Sequence, residues 1–222
     1  MAGYAGFDTY AFPGPAQMAW LQANTNLVWC GYYLPAPSHP NGGWLGQRAA
    51  LAQAGWGLAP IFVGQQLSGP GRHQVTAGRG SEDGRTAAAV MRHDGFDPGA
   101  CVYLDLEDGP PLRAPRAGYV AAWIDAVTAQ GYTPGVYCSH LMGAAAHALR
   151  PAARVWAYAV RSAMPHPVHG TNFPDLHPAA CGYAGAYVWQ LGQSCRLTLP
   201  GAPATAMTVD LDSAVSPDPS AP

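Results

Sequence analysis

Short apolar runs rich in aromatic and β-branched residues recur along the chain, separated by helical periodicities or by Gly/Pro-rich stretches. These runs predict strands over Ala5–Tyr10, Leu27–Leu34, Leu58–Gln65, Cys101–Glu107, Pro134–Ser139, Val155–Val160, Tyr187–Leu191 and Thr208–Asp212. Between them, Pro115–Gln130 opens with proline, stops before Gly131 and sets Tyr119, Val120, Trp123, Ile124 and Val127 along one stripe, a helix signature. Ser81–His93 predicts a second helix with a serine cap and acidic residues in its first turn, and Gly46–Ala54 and Leu141–Leu149 are shorter, alanine-rich ones. Strands alternating with helices imply parallel pairing, and eight such strands suggest a closed barrel. The expected fold is therefore α/β, a single (β/α)8-type TIM barrel over residues 1–215. The pattern thins late. Arg161–Gly185 is rich in Pro, His and Gly, and Gln193–Met207 reads as a loop or hairpin, so helices should be reduced in the C-terminal third. The last residues, 216–222, read as a flexible tail.

Side chains two apart on a strand share a face, which turns the strand readings into a map of polar groups. In Cys101–Glu107 the apolar face carries Val102, Leu104 and Leu106, and the other carries Tyr103, Asp105 and Glu107. The last strand sets Val209 and Leu211 against Thr208, Asp210 and Asp212, and the first sets Phe7 and Thr9 against Gly6, Asp8 and Tyr10. In a barrel the apolar faces meet the helices, leaving the acids directed inward at the strand ends, where barrel enzymes build their sites. A fold does not gather like charges for stability, because crowded carboxylates repel and hold their protons. Asp8, Asp105, Glu107 and Asp210 are thus read as one catalytic cluster. Asp108 and Asp212 lie closest to the loops and read, taken singly, as loop caps.

Composition narrows the function. The chain of 222 residues is 49% hydrophobic and 11% charged, and it has a formal net charge of −2 with no lysine. No basic run could track a phosphate backbone, so nucleic acid is not an expected partner. No apolar stretch approaches the length of a membrane span, and the N-terminus lacks the basic-then-apolar layout of a signal peptide. Cys30, Cys101 and Cys138 fall inside strands and read as small core residues, while Cys181 and Cys195 flank a strand and are candidates to pair.

Gly6-Phe7-Asp8-Thr9, Tyr103-Leu104-Asp105-Leu106-Glu107, Val188-Trp189-Gln190 and Val209-Asp210-Leu211-Asp212 resemble, in order, motifs of a known family. It is the glycoside-hydrolase-like domain of unknown function related to glycoside hydrolase family 25, which contains N-acetylmuramidases. The Asp-x-Glu strand is the most specific piece, and the resemblance runs from Gly6 to about Ala214. Tyr32-Tyr33 and Gly64-Gln65-Gln66 are more similar to the uncharacterised branch than to the muramidases. The resemblance implies a lysozyme-like hydrolase cutting a β-1,4 bond of peptidoglycan with retention. It implies that Glu107 is the general acid/base, that Asp105 assists by orienting the substrate's acetamido group, and that Asp8 and Asp210 line the floor. A glutamate among other acids can stay protonated near neutral pH, which suits that role.

Candidate substrate contacts are Gln190, Tyr103, Tyr32, Gln65 and Asp212 through hydrogen bonds, and Trp44, in the loop after the second strand, by stacking on a sugar. The other tryptophans, Trp29, Trp56, Trp123, Trp156 and Trp189 among them, read as core. His140 follows the fifth strand, and His39, His73, His166, His169 and His177 fall in loops. No His-x-His pair stands on the first strand and no Gly-x-Ser-x-Gly elbow exists, so neither a metal, another cofactor nor an acyl-enzyme is expected. The expected partner is peptidoglycan or a related polysaccharide, met by a monomer at the bacterial cell wall or outside the cell. The competing reading is a catalytically inactive barrel that binds glycan or cell wall.

Overall fold

The computed structural model describes residues 2–37, 39–68, 74–162 and 167–222. Nine strands alternate with five helices among these residues: β1 (Tyr4–Asp8), α1 (Pro15–Asn24), β2 (Trp29–Tyr33), α2 (Arg48–Gln53), β3 (Gly57–Val63), α3 (Ala77–His93), β4 (Cys101–Asp105), α4 (Arg116–Ala129), β5 (Thr133–Ser139), α5 (Gly143–Leu149), β6 (Arg154–Ser162), β7 (Pro167–His169), β8 (Ala186–Thr198) and β9 (Ala206–Ala214). The sheet order is β6-β5-β4-β3-β2-β1-β9-β8-β7, and β6 also pairs with β8, which closes eight strands into a barrel. Helices are sparse around the last strands, as the thinning pattern predicted.

The strand faces divide as expected. Val102, Leu104 and Leu106 pack with the buried stripe of α4, Tyr119, Val120, Trp123, Ile124 and Val127, in the layer between sheet and helices. Tyr103 joins Trp29, Ile61, Trp156 and Val188 inside the barrel. Glycines make that interior possible: a Cβ on Gly6 would enter the Trp29 ring and one on Gly135 the Tyr103 ring.

Three features depart from the sequence reading. β9 runs antiparallel to both of its neighbours, β1 and β8, so it enters from the mouth of the barrel and descends. The connection from β8 to β9 spans only residues 199–205, too short for a crossover, and the two strands extend beyond the barrel as the hairpin that Gln193–Met207 suggested. Helix α3 begins at Ala77, before Ser81, because the Thr76 side chain accepts the Arg79 N–H and caps it. The segment expected to be a flexible tail is instead tied across the bottom of the barrel. Ser220 exchanges backbone bonds with Cys101 and Leu58 at 2.8 and 3.0 Å, Asp218 accepts the Leu58 N–H, and the Pro219 carbonyl accepts from both Tyr103 Oη and Arg154 Nη1 at 3.0 Å. All five cysteines are free, including Cys181 and Cys195.

Candidate active site

At the mouth, the C-terminal ends of the parallel strands surround a cavity of about 530 Å³ whose lining includes Asp8, Asp105, Glu107, Gln190 and Asp210. Asp8 is the last residue of β1 and Asp105 the last of β4, while Glu107 lies two residues past the strand and is exposed. Asp210 reaches the same level from the opposite direction, since antiparallel pairing sets it directly across from Asp8. Strand β8 bulges there, with Gln193 and Ser194 both lying between the rungs that match Gly192 to Leu211 and Cys195 to Val209. Ser194, the one described non-glycine residue with positive φ, thereby aims its N–H at Asp210 Oδ1 at 2.6 Å, and Gln190 Nε2 donates to Oδ2 at 2.7 Å.

Burial dominates the electrostatics. It pushes Asp210 up to about 7, with the charge of Asp8 adding to it and the Ser194 and Gln190 donors opposing it. Asp105 is held well above the usual carboxylate range by burial first and then by Glu107, Asp8 and Asp210. Its Oδ1 is buried without a hydrogen-bond partner. Asp8 is raised by burial, against the lowering effect of Tyr33, whose hydroxyl donates to Oδ1 at 2.7 Å. Asp212 lies beneath the cavity, 1% exposed, with Trp156 Nε1 donating to its Oδ1 at 3.1 Å. Its Oδ2 is buried without a hydrogen-bond partner, and burial, then the charges of Asp8 and Asp210, raise Asp212 far above its ordinary value. The cavity therefore sits over a set of acids that keep protons where isolated aspartates would lose them.

A model of the Rv2525c-like, glycoside hydrolase-like domain matches residues 19–180, well over half of the chain. The chain belongs to this family. The fold is shared with the Tat-secreted protein Rv2525c of Mycobacterium tuberculosis, solved with L-tartrate, at 16% identity over 98% of this chain and 97% of that one, TM-score 0.65. An uncharacterised protein of B. stearothermophilus is 18% identical over 96% of each chain, TM-score 0.63. The catalytic domain of endolysin ply40, from bacteriophage P40 of Listeria monocytogenes, is 13% identical over 96% of this chain and 94% of that one, TM-score 0.61. No curated protein sequence matches. The family match places the chain among glycoside hydrolase-like domains, and the solved structures share its barrel fold.

Among the predicted contacts, Gln190 lines the cavity and Asp212 lies just below it, whereas four others sit elsewhere. Tyr103 shares the inward face of β4 with Asp105 but one layer deeper, and its hydroxyl reaches the bottom of the barrel at Pro219. Tyr32 points outward between β2 and the helices, where its hydroxyl bonds Asp94. Gln65 is buried, with Nε2 donating to Asp83 Oδ2 at 2.9 Å. Trp44 is 0% exposed and cannot stack on a ligand. Its indole N–H instead donates to the carbonyls of Thr9 and Tyr10 at 3.1 and 3.0 Å, stapling the loop after β1.

The cavity residues that sequence reasoning passed over are informative. Tyr33, not Tyr32, faces inward, in step with Trp29 and Gly31. Trp156, read only as core, carries the hydrogen bond to Asp212. Tyr137 and His140 complete the wall on the β5 side, His140 through Nδ1 at 3.2 Å from the Tyr158 carbonyl. Asp108 serves as the loop cap it resembled, accepting the Leu67 N–H at 2.6 Å and the Ser68 hydroxyl at 3.1 Å. His177 caps a short turn by accepting the Ala179 N–H. His73, His166 and the His169 side chain lie outside the described residues. Among the described residues, no three His, Cys, Asp or Glu are disposed to hold a metal ion.

Proposed function

We propose that this protein is a retaining glycoside hydrolase that cuts a β-1,4 bond in peptidoglycan, with Glu107 as general acid/base and Asp105 assisting. One observation carries the reading: acids from three separate strands converge on one cavity in a chain of the glycoside hydrolase-like family. Glu107, exposed at the rim, is the acid able to meet a leaving oxygen on an entering chain and to exchange its proton with solvent. Asp105 lies below it with an unpartnered, buried oxygen, suited to a polar 2-substituent of the bound sugar. Asp8 and Asp210 set the charge of the floor. In this assignment Glu107 protonates the departing oxygen, the acetamido group stabilises the anomeric carbon, and Glu107 then takes a proton from the attacking water.

The likeness to a Tat-secreted mycobacterial protein and to the catalytic domain of a phage endolysin supports action at the cell wall. Among the described residues, no helix is long and apolar enough to cross a membrane.

Release of muropeptides and new reducing ends from purified walls is the test. Glu107→Gln should lower that rate about 10²–10⁴-fold, the usual worth of a general acid, with an unchanged unfolding midpoint. Equal activity in the variant sinks the assignment. Saturable binding to walls with no reducing ends from the wild type would instead establish a silent glycan-binding barrel.

A further inference from the structure

Strand pairing between β3 and β4 ends at Val63 and Asp105. Beyond it, on the β3 side, β4 would present the Glu107 N–H to an empty track, because the Leu106 N–H already turns the other way, to the Tyr137 carbonyl. The side chain of Gln66 fills that track. Its Oε1 accepts the Glu107 N–H at 3.1 Å and its Nε2 donates to the Asp105 carbonyl at 3.1 Å. The Asp105 carbonyl also accepts the Gly64 N–H at 3.2 Å, the last backbone bond from the β3 side, so the amide of Gln66, with the donor and acceptor of a peptide unit, carries the ladder one step further and accepts the Glu107 N–H.

Gln66 is itself anchored from behind. Its neighbour Gln65 donates its backbone N–H to Tyr119 Oη at 3.1 Å and its side-chain amide to Asp83 Oδ2 at 2.9 Å. Tyr119 Oη donates to the same Asp83 oxygen at 2.8 Å, and Arg79 Nε lies 3.0 Å from the other one. Asp83 comes from α3 and Tyr119 from α4, both fully packed, so two helices outside the barrel locate the loop that carries Gln66. The Glu107 carboxylate has no hydrogen bond of its own among the described residues, and it lies beyond the end of its strand. Its position is therefore inherited from its backbone.

We infer that Gln66 is the positioning residue for Glu107, holding the rim carboxylate at its working height through the backbone amide. The inference rests on the assignment of Glu107 as acid/base. A displacement of about 1 Å at a reacting group costs on the order of 10² in rate, which sets the scale of the effect.

The test uses the full chain with Gln66→Ala and with Gln66→Met, which keeps the side-chain volume but forms neither bond. Hydrogen exchange at the Glu107 amide should quicken at least about tenfold in both variants, while Val136, within β5, exchanges as before. The ¹³C signal of the Glu107 carboxyl should broaden or average. On purified peptidoglycan, kcat should fall roughly tenfold to a hundredfold with KM within about twofold. Unchanged exchange at Glu107 in Gln66→Met overturns the inference, as does faster exchange with an unaltered kcat. A wild type without hydrolytic activity refutes the hydrolase assignment instead, and exchange and the carboxyl signal then still decide whether Gln66 holds Glu107.

Discussion

Asp210→Asn should stabilise the fold at alkaline pH and leave it unchanged near pH 4. The carboxyl rises from an ordinary 3.8 to about 7 on folding, because burial and the facing Asp8 penalise its charged form. A carboxyl raised in this way stabilises the fold below its unfolded value, and that stability is lost as pH rises through the folded value. Carried over the whole interval, the shift corresponds to about 4 kcal/mol at 1.36 kcal/mol per pH unit. Remaining solvent contact and the sharing of charge with Asp8 reduce this to about 2–3 kcal/mol. Asparagine never ionises, and like a protonated aspartate it can accept the Ser194 N–H while donating to a reoriented Gln190 amide. Urea unfolding of both proteins at pH 4 and at about pH 8.5 isolates the effect, because every other acid is common to the pair. The variant should gain about 2–3 kcal/mol on wild type between the two conditions. A difference that stays flat with pH to within about 0.5 kcal/mol refutes the account of Asp210 as a buried, charge-crowded acid.

Tyr33→Phe removes the hydroxyl that favours ionised Asp8, so the Asp8 midpoint in a ¹³C titration should move further up and the fold should lose about 1–2 kcal/mol. Trp44→Ala empties a fully buried site and unpins the loop after β1, with an expected loss of about 3–5 kcal/mol by chemical denaturation. Removal of residues 216–222 strips partners from Leu58, Cys101, Tyr103 and Arg154 and should cost about 5 kcal/mol, at roughly 1 kcal/mol for each of the five lost bonds. An unchanged unfolding midpoint would instead mean that the segment is loosely held.

The eight barrel strands and the acids at the mouth were legible because most strands have one apolar face that must meet helices, which fixes the direction of the other. That logic weakens where both faces are apolar or aromatic. In Trp29-Cys30-Gly31-Tyr32-Tyr33 either tyrosine could face inward, and in Gln65-Gln66 the strand has already ended, so parity no longer applies. Parity therefore gives Tyr32 and Gln65 no better claim to the site than their neighbours, and it is Tyr33 that lines the cavity and Gln66 that bonds the backbone at Asp105 and Glu107. The descent of β9 did leave a trace, since a segment read as loop or hairpin with no helical pattern cannot return a strand in parallel. Helix α1 left less, because only Met18, Leu21 and Gln17 are buried and its start depends on proline after Gly14. The C-terminal segment has the composition of a loose end, and its attachment runs mainly through backbone groups that composition does not reveal.

The pairing of β1 with β9 sets two aspartates across a single rung, and main-chain bonds fix the spacing between them. Acids on mobile loops can swing apart when they ionise; these have nowhere to go. Proton uptake relieves the repulsion without parting the strands, in keeping with burial and the charge of Asp8 together raising Asp210 to about 7.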